Sequence, residues 1–182
     1  MDGARRRIGG IKASRCDRAA RASESPSTPN ESATMTTPFR YYLRVRYGEC
    51  DAQKVVFNAR YGEYVDLSIT EFLRAIGYGA ELASGDFDFQ VVKQTTEWKA
   101  SARYDDILEA SVWCARTGNT SFALQVEFRL AGDSMVRCTS ETIYVCVDRN
   151  LVKKALDDEL RGRLERGAPG RVTDHAGYGT QR

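Results

Sequence analysis

One carboxylate and one helix start carry the chemistry that this sequence suggests. Glu49-Cys50-Asp51 closes an alternating run, and Asn58 follows Asp51 by seven residues where a helical pattern begins. A helix start offers backbone N–H groups without intrahelical partners and a positive partial charge. Such amides can hold a developing oxyanion on a carbonyl, while the carboxylate attacks that carbonyl or activates a water. A loop carboxylate can equally cap a turn or lie in solvent, and residue types alone leave both roles open for Asp51.

Other chemistries are poorly supplied. The 182-residue chain has one histidine, His175, seven residues from its end in a Gly-rich stretch. A Ser-His or Cys-His site needs an imidazole held in a scaffold, and a histidine-based zinc site needs several. Carboxylates, hydroxyls, thiols or backbone amides must therefore do the work; no metal or cofactor is called for. The five cysteines are odd in number and lack a C-x-x-C pair. This argues against a disulfide framework and for a reducing, cytoplasmic setting, with Cys114, Cys138 and Cys146 as small apolar filling. Cys50 has no base beside it except Lys54 and reads as packing.

Net charge is +2, yet residues 35–148 carry twelve basic and sixteen acidic side chains. The basic excess lies wholly in the two ends, so the folded part does not read as a nucleic-acid binder. No run of about eighteen apolar residues is present to span a membrane, and the N-terminus has no apolar signal region.

The elements that position Asp51 and Asn58 are legible in the patterning. All four prolines lie at the edges, at 26, 29, 38 and 169, leaving an uninterrupted middle for strands and a long helix. Residues 1–37 are rich in Ser, Thr, Arg and Ala and are expected to be a disordered extension. Met35 opens the patterned text, so it is a second candidate start. Phe39, Tyr41, Leu43, Val45 and Tyr47 alternate with Arg40, Tyr42, Arg44 and Arg46, predicting a half-buried strand; Gly48–Phe57 reads as a loop. A helix is predicted over about 58–76. Its apolar face comprises Tyr61, Tyr64, Val65, Ser68, Ile69, Phe72, Leu73 and Ile76, with Asn58 as cap and Gly77 as stop. Four strands follow, at roughly 87–100, 106–117, 120–131 and 135–147, with Gly118-Asn119 and Gly132-Asp133 turns. The order implies an α+β fold in which a curved antiparallel sheet wraps one long helix. Leu156, Leu160 and Leu164 suggest a short helix within a terminal 151–182 segment that ends as a loose tail.

The run from Arg46 to Tyr61, Arg-Tyr-Gly-Glu-Cys-Asp-Ala-Gln-Lys-Val-Val-Phe-Asn-Ala-Arg-Tyr, resembles the signature of the 4-hydroxybenzoyl-CoA thioesterase family. That hotdog-fold group also contains the Tol-Pal-associated acyl-CoA thioesterases. The similarity continues through Tyr64, Asp66, Glu71, Phe72 and Leu73, then Arg103-Tyr104-Asp105-Asp106 and Val145-Cys146-Val147-Asp148, so that 38–150 reads as the thioesterase domain. The resemblance implies hydrolysis of an acyl-CoA by a homodimer or homotetramer with active sites between subunits. It places the catalytic aspartate on Asp51, the oxyanion amide at Asn58, and the substrate against Lys54, Val56, Phe57 and Tyr61. It also leaves room for a non-catalytic acyl-thioester-binding or envelope-assembly protein of the same fold.

Two departures stand out. Lys54 occupies a position where relatives have Gly, implying a different loop path, a cation near the thioester or CoA phosphates, or a solvated lysine. Asn58 stands where some relatives have His. Asp66 and Glu71, carboxylates on the helix, read either as alternative acids or as polar edge groups paired with arginines; Arg60 and Arg103 read as phosphate contacts or solvated edges.

Overall fold

The computed structural model describes residues 37–85 and 87–179. The expected disorder of the N-terminal extension therefore falls, Thr37 aside, outside the described residues. The elements are β1 (Phe39–Arg44), a single 3-10 turn (Tyr47–Glu49), α1 (Arg60–Ala75), α2 (Gly79–Ser84), β2 (Phe89–Trp98), β3 (Ile107–Thr117), β4 (Ser121–Leu130), β5 (Val136–Cys146), α3 (Asp158–Arg166) and β6 (Val172–Asp174). They form one sheet in the order β2-β5-β4-β3-β1-β6, antiparallel except where β6 lies parallel to β1.

The sheet wraps α1, as the patterning predicts. Tyr61, Tyr64, Val65, Ser68, Ile69, Phe72, Leu73 and Ile76 are all buried. They meet the inward residues of the strands, among them Phe39, Leu108, Val126 and Phe128, in one core. Curvature comes from irregular register at three places, between Val91 and Lys93, Cys114 and Arg116, and Phe128 and Arg129. An extra residue in one strand locally raises twist and bends the sheet.

Three expectations need correction. Strand β1 stops at Arg44, and Tyr42, expected on the solvent face, is buried beneath Tyr178, whose ring stacks on it at 5.0 Å. Helix α1 begins two residues later than expected, with Ala59 rather than Asn58 at the cap position. The terminal segment, expected to be loose beyond its helix, is tied to the body. Gly170 N–H donates to Thr37 O at 2.8 Å, and Arg40 N–H to Arg171 O at 3.0 Å. Val172-Thr173-Asp174 is too short to show a period, and it is a strand only because β1 offers it an edge.

The same segment closes the far end of α1. The last carbonyls of a helix lack internal donors. Here Arg163 donates to Ile76 O and Gly77 O at 3.3 and 3.0 Å, and Arg171 to Ala75 O at 2.5 Å. No helix among the described residues is long and apolar enough to cross a membrane.

Phe72, fully buried against Phe39 at 6.0 Å between ring centroids, lies where helix and sheet meet. Phe72→Ala is expected to destabilise the fold by about 3–5 kcal/mol. Urea unfolding followed by circular dichroism measures this, and a loss below about 1 kcal/mol would contradict the packing described.

Candidate active site

The residues between β1 and α1 are held by one buried carboxylate. Glu49 Oε2 accepts hydrogen bonds from Arg46 N–H at 2.6 Å and from the Tyr64 hydroxyl at 2.7 Å. The Glu49 carbonyl accepts from Phe57 N–H at 2.9 Å. A single residue thus joins the end of β1, the far end of the loop and the second turn of α1. Burial and then the bond to Glu49 push the Tyr64 phenol well above its ordinary range, so it remains a donor.

Inside this frame the chain makes a tight turn. Asp51 N–H donates to Val55 O, and Lys54 N–H to Asp51 O, each at 2.9 Å; Cys50 and Val56 form a bridge outside them. Lys54 has φ 62°, the left-handed region that L side chains adopt at a cost and glycine adopts freely. The loop therefore follows the path a glycine takes, not a different one, and Lys54 is exposed at its tip.

Asp51 Oδ1 accepts from Gln53 N–H at 2.7 Å, which fixes the carboxylate on its own turn. The other oxygen, Oδ2, has no partner among the described residues. Facing it in sequence, α1 opens with short-range bonds: Arg60, Tyr61 and Gly62 N–H donate to the carbonyls of Phe57, Asn58 and Ala59 at 2.8, 3.3 and 3.2 Å. The side chain of Asn58 accepts from Ala59 N–H at 3.0 Å instead of capping deeper in the helix. This pattern leaves the backbone N–H of Asn58 without an acceptor among the described residues.

Asp51, Asn58, Val56, Phe57 and Tyr61 line one cleft of about 420 Å³ with Gln53, Val55 and a wall from Trp98 to Ser101. Five of the six residues expected at the site thus line one cleft, while Lys54 is not in the lining. Trp98 and its neighbours, not among the expected residues, arrive from the end of β2 about forty residues downstream; an aromatic ending an alternating strand is their only signal. Glu49 was noted as a motif residue, but its binding to Tyr64 was not.

The other candidates lie elsewhere. Asp66 is exposed, and Glu71 sits 3.7 Å from Arg74, so both are edge groups. Arg60 pairs with Glu63 at 2.6 Å. Arg103 bridges Val55 through its backbone, and its N–H donates to Asp106 in a turn where Asp105 has φ 69°. Cys50 is half-buried and packs against the core. His175 is held after all, its Nδ1 3.2 Å from the Tyr41 hydroxyl, but it lines a separate cleft with Tyr47 and Tyr104.

Comparison with known proteins gives a consistent picture. Residues 53–136 match the family model described as the thioesterase superfamily. Acyl-CoA thioester hydrolase YbgC of Escherichia coli O157:H7 is 33% identical over 114 residues, which span 62% of this chain and 84% of that protein. A putative esterase of Aquifex aeolicus is 32% identical over 73 residues, 40% of this chain and 57% of its own length. Among solved structures, the BH1999 gentisyl-coenzyme A thioesterase superposes with a TM-score of 0.61 at 23% identity, covering 69% of this chain and 98% of its own. The probable thioesterase YbaW of Escherichia coli gives 0.62 at 23% identity, covering 70% and 96%. These likenesses show the hotdog fold.

Lys54→Gly tests the reading of the loop. Relief of the left-handed strain is offset in part by the freedom glycine has when unfolded, so stability is expected to rise by about 0–1 kcal/mol. A drop of more than about 1 kcal/mol in thermal denaturation would mean that the lysine side chain holds the turn.

Proposed function

The chain belongs to the thioesterase superfamily and is a thioester hydrolase; we propose that it converts an acyl-CoA and water to a free acid and CoA, with Asp51 and the N-terminus of α1 as its machinery. The observation that carries this reading is the pairing of an acceptor-free amide at Asn58 with a turn-fixed carboxylate in one cleft. The thioester carbonyl oxygen lies against Asn58 N–H, where the positive end of the helix stabilises the charge that forms as carbon becomes tetrahedral. Asp51 Oδ2 either removes a proton from the attacking water or itself adds to the carbonyl, giving an anhydride that water then opens. In both routes the C–S bond breaks and the sulfur leaves with a proton that ultimately comes from water. Val56, Phe57 and Tyr61 bound the acyl group. No histidine enters.

We further propose that the working unit is a homodimer, or a homotetramer of two such dimers, paired through β2. This ten-residue strand is an open sheet edge, exposed along almost its whole length, with Val91, Val92 and Trp98 each more than half exposed. Open edges with apolar side chains pair readily with another strand. Because the cleft wall begins at Trp98, a copy seated on β2 would close the catalytic cleft from the side. The four described cysteines are unpaired, in keeping with a cytoplasmic enzyme.

Thiol release from a panel of acyl-CoAs tests the chemistry. Asp51→Asn is expected to lower kcat by about 10²- to 10⁴-fold with little change in melting temperature. Unchanged turnover in that variant removes Asp51 from the mechanism, and calorimetric binding without any wild-type turnover would leave a non-catalytic acyl-thioester binder. For the assembly, sedimentation is expected to give a dimer or tetramer, and Val92→Asp to give monomers with reduced turnover; a fully active wild-type monomer would refute the pairing.

A further inference from the structure

Tyr61 borders the catalytic cleft one helical turn beyond Asn58. Its side chain is 2% exposed, and its ring stands edge-on to Tyr64 and Phe128 at 5.7 and 5.8 Å between centroids. The hydroxyl is shut away from solvent and has no hydrogen-bond partner among the described residues. Few buried polar groups in native proteins are left this way, because water has been lost and nothing replaces it.

The groups around it do not receive its proton: Asp106, the carboxylate whose charge acts on Tyr61, accepts instead from Arg103 N–H at 2.7 Å. Burial pushes the Cys138 thiol up to about 12, so no thiolate forms beside the phenol, and burial likewise holds the phenol protonated, at about 12. Arg137, whose charge also acts on Tyr61, adds donors only. It donates to Ser101 O at 3.3 Å and to Asp133 at 2.9 Å, and its buried Nε has no partner. Ser101 is itself part of the cleft wall. Of the residues lining the cleft, Tyr61 therefore carries a buried donor that nothing among the described residues receives.

We propose that the Tyr61 hydroxyl donates to an oxygen carried by the acyl group beyond its thioester carbonyl, so that the enzyme selects oxygenated acyl-CoAs over plain alkanoyl-CoAs of equal length. This rests on the thioesterase reading, since it is the carbonyl at Asn58 N–H that directs the acyl chain toward Tyr61. Selectivity follows from the same accounting that makes the empty hydroxyl unfavourable. A site built to hydrogen-bond a substrate rejects the analogue lacking the partner, because the buried donor is then left bare.

The test is a matched series of medium-chain alkanoyl-CoAs and chains of equal length bearing an ether or hydroxyl oxygen at successive positions. Thiol release is followed for wild type and Tyr61→Phe. Wild type is expected to favour at least one oxygenated chain by on the order of 10-fold in kcat/KM. In Tyr61→Phe that ratio is expected to fall to near one, without a lower melting temperature, because the hydroxyl has no partner to lose. The proposal is overturned if wild type shows no such preference, if the preference survives in Tyr61→Phe, or if the variant melts lower, which would mean the hydroxyl is bonded within the protein. Absence of thiol release from every acyl-CoA defeats the thioesterase reading and this inference with it, whereas turnover without preference defeats the inference alone.

Discussion

The loop between β1 and α1 depends on one buried carboxylate. Glu49 is buried, and an ionised or hydrogen-bonding carboxyl is tolerated there only with donors aimed at it. Arg46 N–H and the Tyr64 hydroxyl meet that demand, and Phe57 N–H is bound to the carbonyl of the same residue. These three bonds fix the distance from strand to helix and leave the seven intervening residues only a narrow path. The tight turn at 51–55, with its left-handed Lys54, follows from that constraint.

Within the path, backbone geometry divides polar groups into those that are satisfied and those that are available. Asp51 gives one carboxylate oxygen to its own turn, which orients the other without neutralising it. Helix α1 opens with closely spaced bonds that satisfy residues 60, 61 and 62, and Asn58 places its side chain on Ala59. The Asn58 amide and one Asp51 oxygen are among the groups this leaves without a partner among the described residues. The single histidine of the chain is bound to a tyrosine in another cleft and takes no part in this arrangement.

Much of this was legible because the core obeys simple periods. The helical face from Tyr61 to Ile76 is buried residue by residue as its spacing predicts, and the alternation of Phe122, Leu124, Val126 and Phe128 reports the inward side of β4. The cleft lining was legible where it is local in sequence, from Asp51 to Tyr61. Features that depend on distant partners were not. Tyr42 looks like a solvent-face residue until Tyr178 covers it, and Val172-Thr173-Asp174 has no pattern until β1 lies alongside. Lys54 gives no outward sign of its conformation, since positive φ is set by the turn around it and not by its side chain.

The short parallel strand β6 has a consequence for how copies of this chain can accumulate. It occupies the sheet edge beside β1 with only three residues and ends in Asp174, whose carboxylate binds the amides of Ala176 and Gly179. Brief, acid-terminated edges are poor templates for another strand. With that flank blunted, β2 is the long edge left open, and side-by-side growth of the sheet is one-directional. Two molecules joined across such an edge would exhaust each other's capacity to propagate, and the C-terminal segment would thereby guard against ribbons.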